Sequence, residues 1–282
     1  MSVSPKQGKM VIRRILVPLD ESRHSRAALE AATVLAAALK AELCGLFVED
    51  SDLLAVSQYP FFREVCTYDA QPLRAVDLER DFRLQAERLR RMIGALADSH
   101  EVIWTFEVRR GGVRTVIVEQ TGTADLTVIG RFGRTLLRST MGSTVRHLIT
   151  HGRGTTLILQ EGLRLISPVM AVYTGSDLSA RALDIAVHLA RASGGLLEVL
   201  IPSGTRDVFQ EKKKEVDGRM SDAKDVSVIC HPLRTPALRG LMQLLQSKYR
   251  QPLVLPVDAV DGKPGELLLL IDRITNPVLL VR

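Results

Sequence analysis

The feature that most constrains the fold of this chain is the alternation of short apolar segments with longer amphipathic or alanine-rich segments. The short segments have the length of buried strands, whereas segments such as 22–39 and 73–99 have the length and periodicity of helices. Strands separated by helices predict a parallel sheet with right-handed crossover connections. In the first half we predict strands at 12–19, 43–48, 102–108, 126–129 and 155–159, helices at 22–39, 73–99, 113–120 and 145–151, and an irregular stretch at 49–72.

The second half repeats this order, which indicates an internal duplication. Residues 168–173 and the following Gly175-Ser176-Asp177 parallel residues 15–19 and the following Asp20-Glu21-Ser22. A chain of 282 residues is long enough for two ordinary domains. We therefore predict an α/β protein with two tandem, open, five-stranded parallel sheets, each with helices on both faces, in domains of residues 1–162 and 163–282. The second-half strands are predicted at 168–173, 196–201, 226–231, 253–257 and 278–281, and its helices at 180–192, 209–220 and 237–249.

A glycine-containing loop follows the fourth predicted strand. Gly130-Arg131-Phe132-Gly133 comes directly after the apolar run, and Met141-Gly142-Ser143-Thr144 precedes the predicted helix 145–151. The glycines are expected to allow positive φ and a close approach of backbone N–H groups to a ligand. Ser143 or Thr144 is expected to cap the helix, whose free amides form an anion site. Because Arg131, Arg134 and Arg138 add positive charge, this segment predicts a site for nucleotide phosphates.

Three of the predicted strands end in residues that suit a binding site. Asp20 follows the first strand, Glu49 the second and Gly130 the fourth. In open parallel sheets, ligands bind beyond the carboxyl ends of the strands. Because these residues converge on one side of the sheet, we favour a binding site over a chance occurrence of the glycine pattern.

These segments resemble the nucleotide-binding signature of the universal stress protein family. The resemblance rests on Gly-x-x-Gly, a spacer and Gly-Ser after residues 125–130, and on Ile15-Leu16-Val17-Pro18-Leu19-Asp20-Glu21-Ser22 as the first strand and its loop. It covers roughly residues 10–160 and, more weakly, residues 165–282. It implies a Rossmann-like fold similar to that of the adenine nucleotide α-hydrolases. It also implies ATP, ADP or AMP as the ligand, with Mg²⁺ carried on the phosphates.

The resemblance also implies roles for individual residues. Asp20 would bind the ribose or the adenine, and Val48 would offer backbone groups to the adenine ring. The structural alternatives are that Asp20 caps the following helix, Val48 is a core residue, and the glycines only form turns. The residues implied to bind the nucleotide are Asp20, Val48, Gly130, Arg131, Gly133, Arg134, Gly142, Ser143 and Thr144.

The chain departs from the family pattern in two places. Eight residues separate Gly133 from Gly142, one fewer than is usual in the family. In the second half, the segment after 253–257 has no Gly-x-x-Gly; it carries Asp258 and Asp261 where phosphate would lie, and Pro264 lacks an N–H near the helix start. We therefore predict that the second half is a degenerate copy that binds no nucleotide.

The preferred function is a stress-response regulatory protein that binds an adenine nucleotide in its first domain. The sequence contains no Walker lysine motif, nucleophile elbow or Ser-His-Asp arrangement, so slow ATP hydrolysis is the most that we expect. One alternative is an interaction module of the same fold that binds no nucleotide. Another is an adenylating enzyme, but the loops after 15–19 and 168–173 match its Ser-Gly-Gly-x-Asp-Ser pattern poorly.

Composition and charge exclude several other classes. The net charge of +6 comes from arginines dispersed among carboxylates, so we do not expect nucleic-acid binding. The three cysteines, Cys44, Cys66 and Cys230, are widely spaced and indicate neither disulfides nor zinc. His147 and His151 share a helix face but lack further ligands nearby in sequence. No apolar run has the length of a membrane span and no signal peptide is recognisable, so we expect a cytoplasmic protein.

The last predicted strand of each half is a candidate for pairing. In the family this strand commonly pairs across a dimer interface, which implies that 155–159 and 278–281 pair within one chain as a pseudo-dimer. An exposed apolar strand promotes aggregation, which is an independent physical reason for pairing. A further homodimer and an unidentified protein partner remain open at this point.

Overall fold

The computed structural model of the protein describes residues 12–57, 75–131, 141–159, 167–233, 237–247, 251–260 and 264–282. These residues form two compact units. The first consists of residues 13–154 and 158–159, and the second consists of residues 167–282 together with Ile12 and Thr155–Leu157. The domain boundary predicted between residues 162 and 163 lies outside the described residues.

The first unit is built on a parallel sheet with the strand order β3-β2-β1-β4-β5. Ile15 of β1 is in register with Leu43 of β2 on one side and with Leu126 of β4 on the other. The central strands β1 and β4 are buried along almost their whole length, because helices cover both faces of such a sheet. The strands are β1 (Arg14–Pro18), β2 (Glu42–Asp50), β3 (Trp104–Gly111), β4 (Leu126–Gly130) and β5 (Thr155–Leu159), of which only residues 158–159 of β5 belong to this unit.

The helices of this unit begin and end at residues with clear local causes. Helix α1 begins after Ser22, whose side chain accepts the Ser25 N–H, and ends at Lys40, which has a left-handed backbone with φ 54°. The long helix α3 buries an apolar face that includes Phe82, Leu89 and Ile93, as its periodicity predicts. The helices are α1 (Arg23–Leu39), α2 (Ser51–Ser57), α3 (Ala75–Ser99), α4 (Val113–Gln120) and α5 (Ser143–His151).

The second unit has a parallel sheet with the order β10-β9-β6-β7-β8. Val169 of β6 is in register with Leu197 of β7, and Met170 of β6 is in register with Leu253 of β9. Its strands are β6 (Val169–Val172), β7 (Leu196–Pro202), β8 (Ser227–Leu233), β9 (Leu253–Pro256) and β10 (Val278–Val281). Its helices are α6 (Asp177–Ala192), α7 (Arg206–Arg219), α8 (Ala237–Ser247) and α9 (Pro264–Arg273).

The predicted fold class is confirmed: each unit is an open parallel α/β sheet. The sequence analysis missed α2, which lies inside the stretch predicted to be irregular. A local signal was available, since Asp50 at the end of β2 is a residue type that caps helix starts, and its Oδ1 accepts the Asp52 N–H at 3.0 Å. Within the described ranges, no helix combines the length and the apolarity that a membrane crossing requires.

Candidate functional site

The loop after β1 is held by a closed set of hydrogen bonds. The Asp20 Oδ1 accepts the Ser22 N–H at 2.9 Å, and the Ser22 Oγ accepts the Ser25 N–H at 3.1 Å. The Asp20 N–H donates to the Ser25 Oγ at 2.9 Å, which closes the set. Ser22 is therefore the cap of α1, and the alternative of Asp20 as the cap is wrong. The Asp20 carboxylate lies before the helix and stabilises the loop through its bond to the Ser22 N–H.

At the end of β2 the backbone continues beyond its neighbour β1. The Leu46 carbonyl accepts the Leu19 N–H at 2.7 Å at the point where β1 ends. Alternate residues of a strand direct their backbone groups to the same side, so Val48 directs its N–H and C=O past the end of β1. Its side chain is 8% exposed, so the core role and the ligand role are compatible at this residue.

At the end of β2 the structure corrects the prediction that Glu49 contributes to the binding site. Glu49 does not face the cavity described below; its carboxylate pairs with Arg110 of β3 at 2.8 Å. The next residue, Asp50, lies on the cavity wall instead. Side chains alternate along a strand, and on its face of β2 the Glu49 carboxylate is held by Arg110, which also pairs with Glu79 of α3.

Gly130 ends β4 against the first turn of α1. A Cβ at this position would lie 2.6 Å from the His24 carbonyl oxygen and 2.8 Å from its carbonyl carbon. Gly130 does not have a left-handed backbone, so the expectation of positive φ is wrong here. The glycine is needed because strand and helix backbones approach too closely for any side chain.

Helix α5 begins at the same side of the sheet. Its N-cap is Gly142, with φ −56° and ψ 146°, and no side chain makes a capping bond. The expectation that Ser143 or Thr144 caps the helix is wrong, because both already belong to its first turn. The Gly142 N–H donates to the Arg131 carbonyl at 3.1 Å, which anchors the helix start to the end of β4. The first-turn amides and the helix dipole form the positive end expected of an anion site.

These segments meet around one cavity of about 540 Å³ within the first unit. Six of the residues predicted to bind a nucleotide line it: Asp20, Val48, Gly130, Gly142, Ser143 and Thr144. Arg131 is not part of its wall; this residue is 6% exposed, and its N–H donates to the Leu159 carbonyl at 2.7 Å. Gly133, Arg134 and Arg138 lie outside the described residues.

The sequence analysis missed the wall that α3 contributes. Phe82 packs edge-on against Phe47, with ring centroids 6.3 Å apart and an interplanar angle of 67°. Gln85 lies one turn later on the same helix face and is 6% exposed. The i, i+3 spacing from the buried Phe82 was the available signal, but a polar residue does not contribute to an apolar periodicity.

The paired histidines of α5 lie away from the cavity wall. The His147 and His151 rings have centroids 4.3 Å apart. Burial, the neighbouring His151 and Arg114 together hold the pKa of His147 below its ordinary value. In the part of the chain that the structure describes, no group of three or more His, Cys, Asp or Glu residues is arranged to hold a metal ion.

In the second unit the loop after β6 repeats the loop after β1. Ser176 caps α6 by accepting the Ser179 N–H at 3.1 Å, as Ser22 does with Ser25. The Thr174 Oγ1 accepts the Ser176 N–H at 3.4 Å, which is the bond that Asp20 makes to Ser22. Thr174 is therefore the counterpart of Asp20, and Asp177 is the first residue of α6.

Comparison with known proteins assigns this fold and sequence to a family. The sequence model described as the universal stress protein family matches residues 12–160, which is more than half of the chain. No curated protein matches the sequence. At the low identities of the solved structures below, structural similarity shows the fold only.

Three solved structures are similar over nearly the whole chain. A universal stress protein from Archaeoglobus fulgidus DSM 4304 has a TM-score of 0.70 and 16% identity, over 95% of this chain and 97% of that chain. A putative universal stress protein from Pseudomonas aeruginosa UCBPP-PA14 has a TM-score of 0.61 and 16% identity, over 96% of this chain and 94% of that chain. The cytoplasmic domain of a prokaryotic cation chloride cotransporter has a TM-score of 0.55 and 12% identity, over 96% of this chain and 95% of that chain. With the sequence match over residues 12–160, we conclude that this chain belongs to the universal stress protein family.

Proposed function

We propose that the first unit binds an adenine nucleotide in the cavity at the carboxyl ends of β1, β2 and β4, and that the protein is a stress-response regulator. The observation that carries the proposal is the convergence of six predicted residues from separate segments on one cavity. The cavity of about 540 Å³ falls within the size range of small-molecule sites.

The phosphates are assigned to the side of the cavity next to β4. Gly142, Ser143 and Thr144 line this side, and the first-turn amides of α5 offer hydrogen bonds and positive potential. Gly130 keeps the nearby backbone free of a side chain. Mg²⁺ would be carried on the phosphates, an arrangement that requires no dedicated cage of carboxylates. The loop that contains Arg134 remains a proposed part of this side.

The ribose and the base are assigned to the side next to β1 and β2. The Asp20 Oδ1 is already held by the Ser22 amide, which fixes the carboxylate so that Oδ2 can accept a ribose hydroxyl or a base amino group. The backbone of Val48 extends beyond β1 and offers a donor and an acceptor to the base edge. The apolar side chains of Leu19, Phe47 and Ile129 line the cavity and suit a planar ring.

A regulatory role fits this wall better than catalysis. Its two carboxylates, Asp20 and Asp50, accept backbone amides and are held as structural acceptors. A nucleotide that contacts both the loop after β1 and the start of α5 would link these two segments, and a partner protein could recognise the linked surface. We also propose a cytoplasmic location, which the free thiols of the described Cys44 and Cys230 support.

The interaction module without a nucleotide remains the second candidate. It is favoured by the eight-residue spacer between Gly133 and Gly142, which is shorter than the family pattern. The structure is also similar to the cytoplasmic domain of a cotransporter, and a shared fold does not by itself imply a shared function.

Calorimetric titration of the purified protein with ATP and Mg²⁺ tests the proposal. We expect about micromolar binding at one site per chain. Gly142→Asp places a carboxylate at the helix start and should abolish binding by charge repulsion. Gly122→Asp is the matched control, because a Cβ at Gly122 meets no atom within 4 Å. Absence of binding to nucleotide-free wild-type protein would favour the interaction module.

A further inference from the structure

We propose that Gln85 of α3 recognises the base of the bound nucleotide, donating through Nε2 to a ring nitrogen of adenine and accepting the 6-amino group through Oε1. This inference rests on the proposed nucleotide function and names a specificity-determining residue within it. The starting observation is a buried polar side chain on the cavity wall whose amide nitrogen has no hydrogen-bond partner among the described residues.

The Gln85 side chain is polar, buried and without a partner for its donor. Its residue is 6% exposed, and among the described residues its Nε2 has no hydrogen-bond partner. A buried donor without a partner destabilises a folded protein, and most buried polar groups are therefore paired. Gln85 also lines the cavity, so a ligand there can supply the missing acceptor.

The position of Gln85 corresponds to the base rather than to the phosphates. Helix α3 packs on β2 and β3, and Phe82, one turn before Gln85, contacts Phe47 of β2. The phosphate side lies at β4, and β1 separates β2 from β4. Two strand spacings amount to about 10 Å, which leaves room for a ribose between the two ends.

The chemistry of a carboxamide is complementary to adenine. A glutamine presents one donor and one acceptor side by side, and the adenine edge presents a ring nitrogen acceptor beside its amino donor. Phe82, on the same face of α3, and its partner Phe47 make the surroundings of Gln85 apolar, so a hydrogen bond there is shielded from water. These properties favour a base with a 6-amino group over one that lacks it.

Gln85→Met tests the inference, since methionine has nearly the same length and shape without the amide. Gln210→Met is the matched control, because it makes the same change at an exposed position of a helix in the second unit. Binding of ATP with Mg²⁺ and of purine riboside triphosphate with Mg²⁺, which lacks the 6-amino group, is measured by calorimetry for each protein. Thermal unfolding of the ligand-free proteins is measured alongside.

We expect Gln85→Met to weaken ATP binding about tenfold, the size of one buried hydrogen bond. The preference for ATP over purine riboside triphosphate should fall, because only the Val48 backbone then remains to recognise the 6-amino group, while the ligand-free Tm stays equal or rises. Gln210→Met should leave both properties unchanged. If wild-type protein binds ATP and Gln85→Met binds it equally well, or if its Tm falls by several degrees, the inference is overturned and the proposed function stands. If wild-type protein does not bind ATP, the proposed function itself fails.

Discussion

The two units of this protein share a register but differ at the carboxyl ends of their strands. In the first unit the Leu19 N–H donates to the Leu46 carbonyl at 2.7 Å, and in the second the Tyr173 N–H donates to the Leu200 carbonyl at 2.9 Å. The serine caps of α1 and α6 are likewise equivalent. Because these bonds fix the alignment of the two units, each residue of the cavity wall has an identifiable counterpart.

The counterparts lack the groups that the proposed site uses. Thr174 stands where the first unit has the Asp20 carboxylate. Pro202 and Pro256 stand where it has Val48 and Gly130, and a proline has no backbone N–H. A proline ring also cannot be placed where the first unit requires glycine for a close approach. The pairs are Leu19 and Tyr173, Asp20 and Thr174, Val48 and Pro202, and Gly130 and Pro256.

Tyr173 shows how one of these positions is used in the second unit. It is 2% exposed, and its hydroxyl donates to the Glu215 Oε2 of α7 at 2.7 Å. Burial, and then the bond to Glu215, raise the pKa of this phenol. The two units therefore show that the apolar strands maintain the register, whereas the residues at the strand ends can serve either binding or packing.

The largest expected effect is at Gly130. Gly130→Ala forces a Cβ against the His24 backbone, which cannot move like a side chain, and should destabilise the first unit by about 2 kcal/mol. It should also abolish nucleotide binding. Denaturant unfolding and calorimetry measure the two effects, with Gly122→Ala as the control at a position with open space. If Gly130→Ala were as stable as wild type, the close approach of the Gly130 and His24 backbones would not explain why the first unit requires glycine here.

The next effect is at Asp20, where the second unit supplies the natural replacement. Asp20→Thr should weaken ATP binding about tenfold or more, because it removes a charged acceptor. The loop should survive, since the Thr174 Oγ1 accepts the equivalent amide. The reciprocal Thr174→Asp should create no second site, because Pro202 and Pro256 remain. Calorimetry decides, and an unchanged affinity of Asp20→Thr would leave Asp20 with a structural role only.

A smaller effect is expected at Tyr173, and it appears at high pH. Tyr173→Phe should cost about 1 kcal/mol of stability by removing the bond to Glu215. Because the folded-state pKa is raised, the tyrosine contributes its full stability below its ordinary pKa of about 10 and loses it as the pH rises through the folded-state pKa. Urea unfolding from pH 8 to 11 should show a steeper decline in wild type than in Tyr173→Phe. Nucleotide binding should not change.

The smallest effect is at the opposite end of the pH scale and in the first unit. Because the pKa of His147 is lowered, the neutral ring contributes stability above about pH 6.5 that is lost as the pH falls through the folded-state value. His147→Gln should therefore flatten the decline in Tm between pH 7 and 5 slightly. His188→Gln, at a half-buried position of α6, serves as the comparison in the second unit. If wild type and His147→Gln showed equal pH profiles of Tm, His147 would not contribute to the loss of stability at low pH.

Much of the candidate site could be predicted because its residues stand at the ends of recognisable strands. Apolar runs and glycines indicate Asp20, Gly130 and Gly142, the family resemblance adds Val48, and all four line one cavity. The errors arose where a choice depended on an exact helix start or a side-chain direction. Gly142 rather than Ser143 caps α5, and Asp50 rather than Glu49 faces the cavity.

The sequence by itself determined the parallel α/β sheets, their repetition and the side of the sheet on which the site lies, because hydrophobic periodicity and glycine positions are local signals. Only the tertiary structure decided that Gly130 is required by the His24 backbone and that Thr174 corresponds to Asp20. It also brought the buried Gln85 from α3 to the cavity. These facts depend on distances between segments far apart in the chain, and no local pattern of residues encodes such distances.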